Sequence, residues 1–134
     1  MKKLFAFLGL ALMAAGCSRQ PEFQGKSYQL QEAQNNATVI LEFAADEPRY
    51  YGAVVNRYFG TYELDGNKIK FGPAGVTMMM GPEDQMEAEY NYLQILPRII
   101  SYKMDGTNLV LITNNGQELG FKEVEAPEDI ETAQ

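Results

Sequence analysis

Apolar and polar residues alternate over many short stretches of this chain, which is the pattern of β-strands that bury one face. Short polar segments separate these stretches from one another. The apolar positions that we expect to face the core are Tyr28, Leu30, Val39, Leu41, Phe43, Ile69 and Phe71, followed by Ile100, Tyr102, Met104, Leu109, Leu111, Leu119 and Phe121.

The segments between the predicted strands carry residues that favour tight turns. Asp65-Gly66-Asn67, Asp105-Gly106 and Asn114-Asn115-Gly116 suit hairpins whose turn residues need positive φ. Such acidic turns resemble calcium loops superficially, but they lack the ligand number and spacing of an EF-hand. We therefore predict antiparallel hairpins there and no metal site.

Residues 82–96 follow a helical period instead. Pro82, Glu83 and Asp84 suit a helix N-terminus, and Pro97 stops the helix. The predicted apolar face consists of Met86, Tyr90, Leu93 and Leu96. Such a helix would cover one mouth or open side of a curled sheet. The pattern thus predicts a mainly β fold, a small antiparallel, opened β-barrel-like domain of about eight strands with one amphipathic helix.

The first sixteen residues read as a processing segment, not as part of the fold. Lys2 and Lys3 precede an apolar run that extends from Leu4 to Met13, and small residues follow it at 14–16. The run is shorter than the roughly 20 apolar residues that span a bilayer. We therefore expect residues 1–16 to be a signal peptide, residues 17–24 a tether and residues 25–124 one domain.

Cys17 is the only cysteine, so an intramolecular disulfide is excluded, and a chain without histidine cannot form a Cys-His nucleophile pair. Its context resembles the lipobox of bacterial lipoproteins, with Ala14 where leucine is most common. The resemblance implies diacylglyceryl transfer to the sulfur, cleavage before Cys17 and acylation of the new amino end. Several acyl chains give a stable anchor, whereas one gives reversible binding. The alternative is an ordinary signal peptide beside an unrelated thiol.

The residue after the cysteine refines the predicted location. Aspartate there resembles an inner-membrane retention signal, and this chain has Ser18. We therefore expect an outer-membrane, lipid-anchored protein that faces the periplasm, with the membrane as a partner through Cys17.

Acidic residues dominate the charge balance. The chain has 11 Lys and Arg against 18 Asp and Glu, a net charge of −7, and loss of residues 1–16 would make it −9 because Lys2 and Lys3 are removed. Such a charge repels nucleic acid, which we exclude as a partner. Residues 125–134 are acidic with little apolar content, and we predict a disordered tail.

Two stretches resemble a known family. Residues 51–64, YGAVVNRYFGTYEL, and residues 76–89, VTMMMGPEDQMEAE, are similar to the paired signature of the META domain, found in HslJ-like bacterial envelope lipoproteins. The matching positions are Gly52, Asn56 and Gly60 in the first half and Thr77 and Met79 in the second, with Glu87 or Glu89 near the acidic position of the pattern.

The resemblance implies a β domain like the opened barrels of secretion pilotins. It also implies a role in envelope stress or drug tolerance without catalytic residues. Val55 and Gly81 stand where many members have cysteines, and the resemblance implies that such a pair forms a disulfide in a periplasmic member. If so, their Cα atoms should lie within about 7 Å.

The motif residues have a structural and a functional interpretation. Gly52 and Gly60 would allow close backbone approach or a bulge in the curled sheet. Asn56 would bond to a neighbouring turn. The functional alternative is a binding surface that these residues share.

The triple methionine at Met78–Met80 could in principle hold Cu(I). In an extended segment Met79 points opposite to its neighbours, which leaves two sulfurs on one face with no histidine or cysteine nearby. We therefore expect these methionines to fill the core, and we assign no metal and no cofactor.

Catalysis is not expected. The usual proton shuttle at neutral pH is missing, and the serines lack a nucleophile-elbow context. Glu83 and Glu87 share a helical face, but acidic first turns usually complement the helix dipole. Three non-catalytic candidates remain. The first is an interaction or stress-protective module. The second is a carrier of a lipid or other hydrophobic ligand in the barrel interior, which the apolar residues on both faces of 50–55 suggest, and the third is an inhibitor of a basic cell-wall hydrolase.

Overall fold

The computed structural model describes residues 20–127. The predicted signal peptide, the lipidation site Cys17 and most of the predicted acidic tail lie outside these residues. In the described part, no helix has the length and the apolar character needed to cross a membrane.

Antiparallel strands make up most of the described chain. The strands are β1 (Ser27–Leu30), β2 (Ile40–Phe43), β3 (Arg49–Ala53), β4 (Arg57–Asp65), β5 (Lys68–Phe71), β6 (Gly75–Val76), β7 (Ile99–Asp105), β8 (Asn108–Thr113) and β9 (Glu118–Val124). The helix α1 (Glu83–Ile95) lies between β6 and β7, and short 3-10 turns occupy Gln34–Asn36 and Leu96–Arg98.

The sheet closes on itself. Its strand order is β3-β2-β1-β9-β8-β7-β5-β4, and β3 also pairs with β4, so eight strands form a closed barrel while β6 adds to β4. The predicted mainly β, barrel-like fold with one helix is thus confirmed, although the barrel is closed and not opened. The closing pair brings Gly52 opposite Tyr58 and Gly60 opposite Tyr50.

Aromatic side chains fill the barrel interior. Phe43 contacts the rings of Phe23, Tyr28, Tyr62 and Phe71, with centroids 4.3 to 6.4 Å apart. All five of these side chains are buried. Burial of each such side chain stabilises the fold by about 1.5–3 kcal/mol. The centre of the barrel is therefore a packed core.

The predicted hairpin turns are present. Gly66, Gly106 and Gly116 have φ of 64°, 66° and 90°. Each glycine lies in the turn between two consecutive strands, as the Asp-Gly and Asn-Gly pairs predict.

The strand pattern departs from the prediction in β7 and β2. A bulge between Ile99 and Ser101 reverses the alternation, so Ile99 is buried while Ile100, predicted to face the core, is 50% exposed. In β2 both faces are buried, including Ile40 and Glu42, whereas alternation predicts one.

Helix α1 covers one end of the barrel. It lies against the β3–β4 connection and the segment before β2, and the 3-10 turn with Pro97 follows it. The predicted apolar face is wrong at Tyr90, which is 65% exposed. The buried helix residues are Ala88, Glu89 and Tyr92. Polar side chains determine which face of the helix is buried, because Glu89 and Tyr92 both form hydrogen bonds with the barrel side.

Candidate functional site

Asn56 is the centre of the family motif and is buried at the connection between β3 and β4. Its Oδ1 accepts hydrogen bonds from the Thr77 hydroxyl, at 3.0 Å, and from the Met79 N–H. Its Nδ2 donates to Glu89 Oε2 at 2.8 Å and to the Met79 carbonyl at 3.4 Å. The amide thus pairs with the Met79 backbone as a neighbouring strand would.

Glu89 completes this network from helix α1. Its Oε1 accepts hydrogen bonds from the backbone N–H groups of Val55 and Asn56, at 3.0 and 2.6 Å. Together with Asn56 Nδ2, three N–H donors surround the carboxylate. Such donors compensate the cost of burying a charged group. We call Asn56, Thr77, Met79 and Glu89 the Asn56 network.

The structure distinguishes the two acidic positions that the sequence left open. Glu89 belongs to the Asn56 network, whereas Glu87 is exposed and accepts one long bond, 3.4 Å, from the Asn35 side chain. Residues 87 and 89 are about 200° apart around a helix, so only one of them can face the barrel.

Gly52 and Gly60 lie apart from this network, in the barrel wall. A Cβ on Gly52 would lie 1.9 Å from the Ile40 carbonyl oxygen and 2.6 Å from the Tyr58 hydroxyl. A Cβ on Gly60 would lie 2.7 Å from the Tyr50 hydroxyl. Both positions lack room for a side chain because a tyrosine crosses each glycine. Gly52 and Gly60 therefore belong to the barrel wall, whereas Asn56, Thr77 and Met79 belong to the network.

Two buried tyrosines link the helix to the barrel. Tyr58 donates to the Ile40 carbonyl at 2.6 Å, and its oxygen lies 2.7 Å from the hydroxyl of Tyr92. Because Tyr58 has one hydroxyl proton, Tyr92 donates to Tyr58. Burial raises the pKa of both phenols well above the ordinary value. Both remain protonated at neutral pH and act as structural hydrogen-bonding groups.

Val55 and Gly81 are neighbours, as the resemblance led us to expect. A Cβ built on Gly81 would lie 3.7 Å from the Cβ of Val55. Disulfide-linked cysteines have Cβ atoms about 3.5–4.5 Å apart. In this chain a methyl group of Val55 packs directly over Gly81, 2.8 Å from that Cβ position.

The methionines at 78–80 do not fill the core, so that prediction is wrong. Met78 and Met80 are 94% and 90% exposed, and Met79 is 50% exposed. Asn56 binds the backbone of Met79, and the Thr77 N–H donates to the Arg57 carbonyl at 3.0 Å. These bonds hold the segment against the start of β4 and leave the side chains of Met78 and Met80 in solvent. We call Met78–Met80 the methionine loop.

Acidic groups follow the methionine loop along the chain. Gly81 and Pro82 separate Met80 from Glu83 and Asp84, which form the first turn of α1. The helix has four acidic residues and no basic residue. Among residues 20–127, no group of three or more metal-ligating His, Cys, Asp or Glu side chains is assembled.

Comparison with known structures supports the fold. A protein from Burkholderia xenovorans, determined by NMR, is similar with a TM-score of 0.63 and 23% identity, over 78% of this chain and 85% of that one. A DUF4847 family protein from Bacteroides vulgatus, determined by crystallography, is similar with a TM-score of 0.58 and 13% identity, over 79% of this chain and 97% of that one.

No curated protein matches this chain significantly. The family comparison is decisive instead. The model of the META domain matches residues 20–126, which include every residue of the Asn56 network and both wall glycines. None of the matched descriptions names a catalytic activity. The chain therefore belongs to the META domain family.

Proposed function

We propose that this protein is an outer-membrane lipoprotein, anchored through Cys17 and facing the periplasm, whose META domain is a non-catalytic, HslJ-like interaction module of the stressed envelope. The sequence around Cys17 supports the anchor. The methionine loop supports the interaction, because it combines a fixed backbone with side chains that are 94% and 90% exposed at Met78 and Met80.

The loop has the properties of a contact surface. A methionine side chain is flexible and polarizable, so it adapts to irregular apolar partners. Ordering it on binding costs side-chain entropy, but the backbone of Met79 is already held by Asn56. The Asn56 network therefore positions a contact loop, which gives the buried motif a role in presenting the loop.

The surrounding charge selects the kind of partner. The acidic first turn of α1 begins two residues after the loop, and the chain as a whole is acidic. A basic envelope protein with an apolar patch would match both features, since complementary charge steers association. A basic cell-wall hydrolase is one instance of such a partner, and inhibition would follow if the loop blocked its cleft.

The carrier alternative receives less support from the barrel interior. The rings of Phe23, Phe43, Tyr50, Tyr58 and Phe71 are buried there and pack against one another. An acyl chain would have to displace several of these side chains. The interior thus favours a structural role.

Site-specific crosslinking in bacterial cells tests the proposal. A photoreactive phenylalanine analogue at Met78 or Met80 should form an adduct with a basic envelope protein. The same analogue at Leu64, an exposed apolar residue elsewhere on the barrel, is the matched control. The interaction module would be refuted by the absence of protein adducts at the loop or by the same adducts at Leu64.

A further inference from the structure

A cavity of about 550 Å³ lies between helix α1 and the barrel rim. Leu30 at the end of β1, Leu119 on β9 and Val110 on β8 form its barrel side, and Ala88, Tyr92 and Ile95 form its helix side. Cavities of about 300–1,000 Å³ are typical of small-molecule sites, and this one combines apolar walls with polar side chains such as Gln31, Asn91 and Gln117. This cavity is separate from the packed barrel interior and from the methionine loop.

The segment that borders the cavity has an unusual backbone. Glu32, Asn35 and Asn36 have φ of 57°, 56° and 55°, and none of them is glycine. Asparagine tolerates this left-handed region, whereas it is uncommon for glutamate. Strained residues of this kind cluster at ligand-binding segments. Glu32 lines the cavity.

Polar bonds tie this segment to the helix. The Asn35 amide donates to the Asp84 carbonyl at 2.8 Å, and the Asn91 amide donates to Gln34 Oε1 at 2.8 Å. Gln85 also donates to the Asn35 carbonyl at 3.1 Å. These exposed bonds can exchange with water at little cost. These hydrogen bonds to α1 can therefore open while Ala33 and Ala37 keep the segment packed on the apolar core.

The polar groups of the cavity define the complementary ligand. Glu32 and Glu118 are the charged lining residues, and no Lys or Arg lines the cavity. Lys103 lies 3.6 Å from Glu118 and offsets part of its charge. Within residues 20–127, no cationic side chain lies within ion-pair distance of Glu32. A cationic head would therefore pair best with Glu32.

From this geometry we propose that the cavity binds a small cationic amphiphile, with its alkyl or aromatic body between α1 and the barrel rim and its ammonium head at Glu32. This site is independent of the contact surface proposed for the methionine loop.

Titration of the purified protein with octylamine, followed by ¹H–¹⁵N NMR, tests the proposal. Octanol and octanoate serve as neutral and anionic probes of the same chain length. Octylamine should give saturating shifts confined to cavity residues such as Val110, Ile95 and Gly120, and it should bind more tightly than either other probe. Shifts spread over the whole surface, no saturable binding, or equal binding of octanoate would overturn the proposal.

Two pairs of variants locate the site. Val110→Trp should fill the cavity and abolish binding, whereas Ile112→Trp, two residues further along β8 and outside the lining, should retain it.

Glu32→Gln should weaken octylamine binding at least about fivefold, as expected for loss of one charge-assisted bond, and leave octanol binding unchanged. Glu63→Gln, an exposed acid outside the lining, is its control. If Val110→Trp does not fold, Glu32→Gln decides, and unchanged octylamine affinity in that variant refutes the site.

Discussion

Replacement of Glu89 by glutamine changes one atom of the Asn56 network and almost nothing of its shape. The carboxylate accepts from three N–H groups, two on Oε1 and one on Oε2. A glutamine has one oxygen and one NH₂ group, so either orientation places a donor against a donor. The less costly orientation keeps the oxygen at the Val55 and Asn56 backbone and turns NH₂ toward Asn56 Nδ2.

Rotation of the Asn56 amide does not relieve this conflict. Its Oδ1 would then leave the Met79 N–H and the Thr77 hydroxyl, which it now accepts from. A hydrogen bond to a charged group contributes about 1.5–3 kcal/mol, and an unsatisfied buried group costs about 1–3 kcal/mol. We therefore expect Glu89→Gln to lower the free energy of unfolding by about 3 kcal/mol.

Urea denaturation and thermal unfolding measure this change. For a domain of roughly 100 residues, about 3 kcal/mol corresponds to a fall in Tm of about 12 °C or more. The exposed Glu87→Gln is the matched control, and its free energy of unfolding should stay within about 0.5 kcal/mol of the parent. Amide exchange at Met79 should accelerate in Glu89→Gln alone. If both variants unfold at the same urea concentration, the reasoning about the Asn56 network is wrong.

Three further predictions concern the disulfide positions, the tyrosines and the anchor. Because a Cβ on Gly81 lies 3.7 Å from that of Val55, the double variant Val55→Cys, Gly81→Cys should crosslink under oxidation and gain about 2–4 kcal/mol; a mixture that stays reduced would count against the geometry. Burial raises the pKa of Tyr28 and Tyr50 to about 12, so the unfolded chain releases these protons first, and the stabilisation that depends on these two protons should be present below pH 10 and lost between pH 10 and 12; urea denaturation that shows the same loss over this range in a Tyr28→Phe, Tyr50→Phe variant would contradict this. Cys17→Ser should leave the domain folded but move it to the soluble or unprocessed pool, as cell fractionation would show, and equal membrane retention would refute lipidation.

The strand pattern and the turns could be read from local sequence alone. Alternation at Ile69 and Phe71 reflects a sheet with one face toward the core, and Gly66 or Gly106 follows from the steric demands of a tight turn. The stretch that contains Gly52, Asn56 and Gly60 also resembles the META signature. These features depend on residues close together in the chain, so local rules suffice.

Other features depend on contacts between distant segments. The bulge that exposes Ile100 is set by pairing of β7 with β8. The choice of Glu89 over Glu87 depends on where Asn56 lies, across 33 residues of chain. The helical period of apolar residues predicted that Tyr90 faces the core. It could not predict that Glu89 is buried instead, because the three N–H groups that donate to its carboxylate belong to a distant segment.

The methionine loop also shows the difference between what local sequence predicts and what long-range contacts decide. A core position was predicted because methionine adapts to irregular gaps, yet Asn56 pairs with the Met79 backbone and leaves Met78 and Met80 in solvent. Barrel closure also depends on distant partners. Tyr50 lies across Gly60 and Tyr58 lies across Gly52, and both contacts require that β3 and β4 are already paired in register. Local periodicity determines which residues can form a strand or a helix, whereas burial of each side chain depends on the long-range partners that satisfy its polar groups.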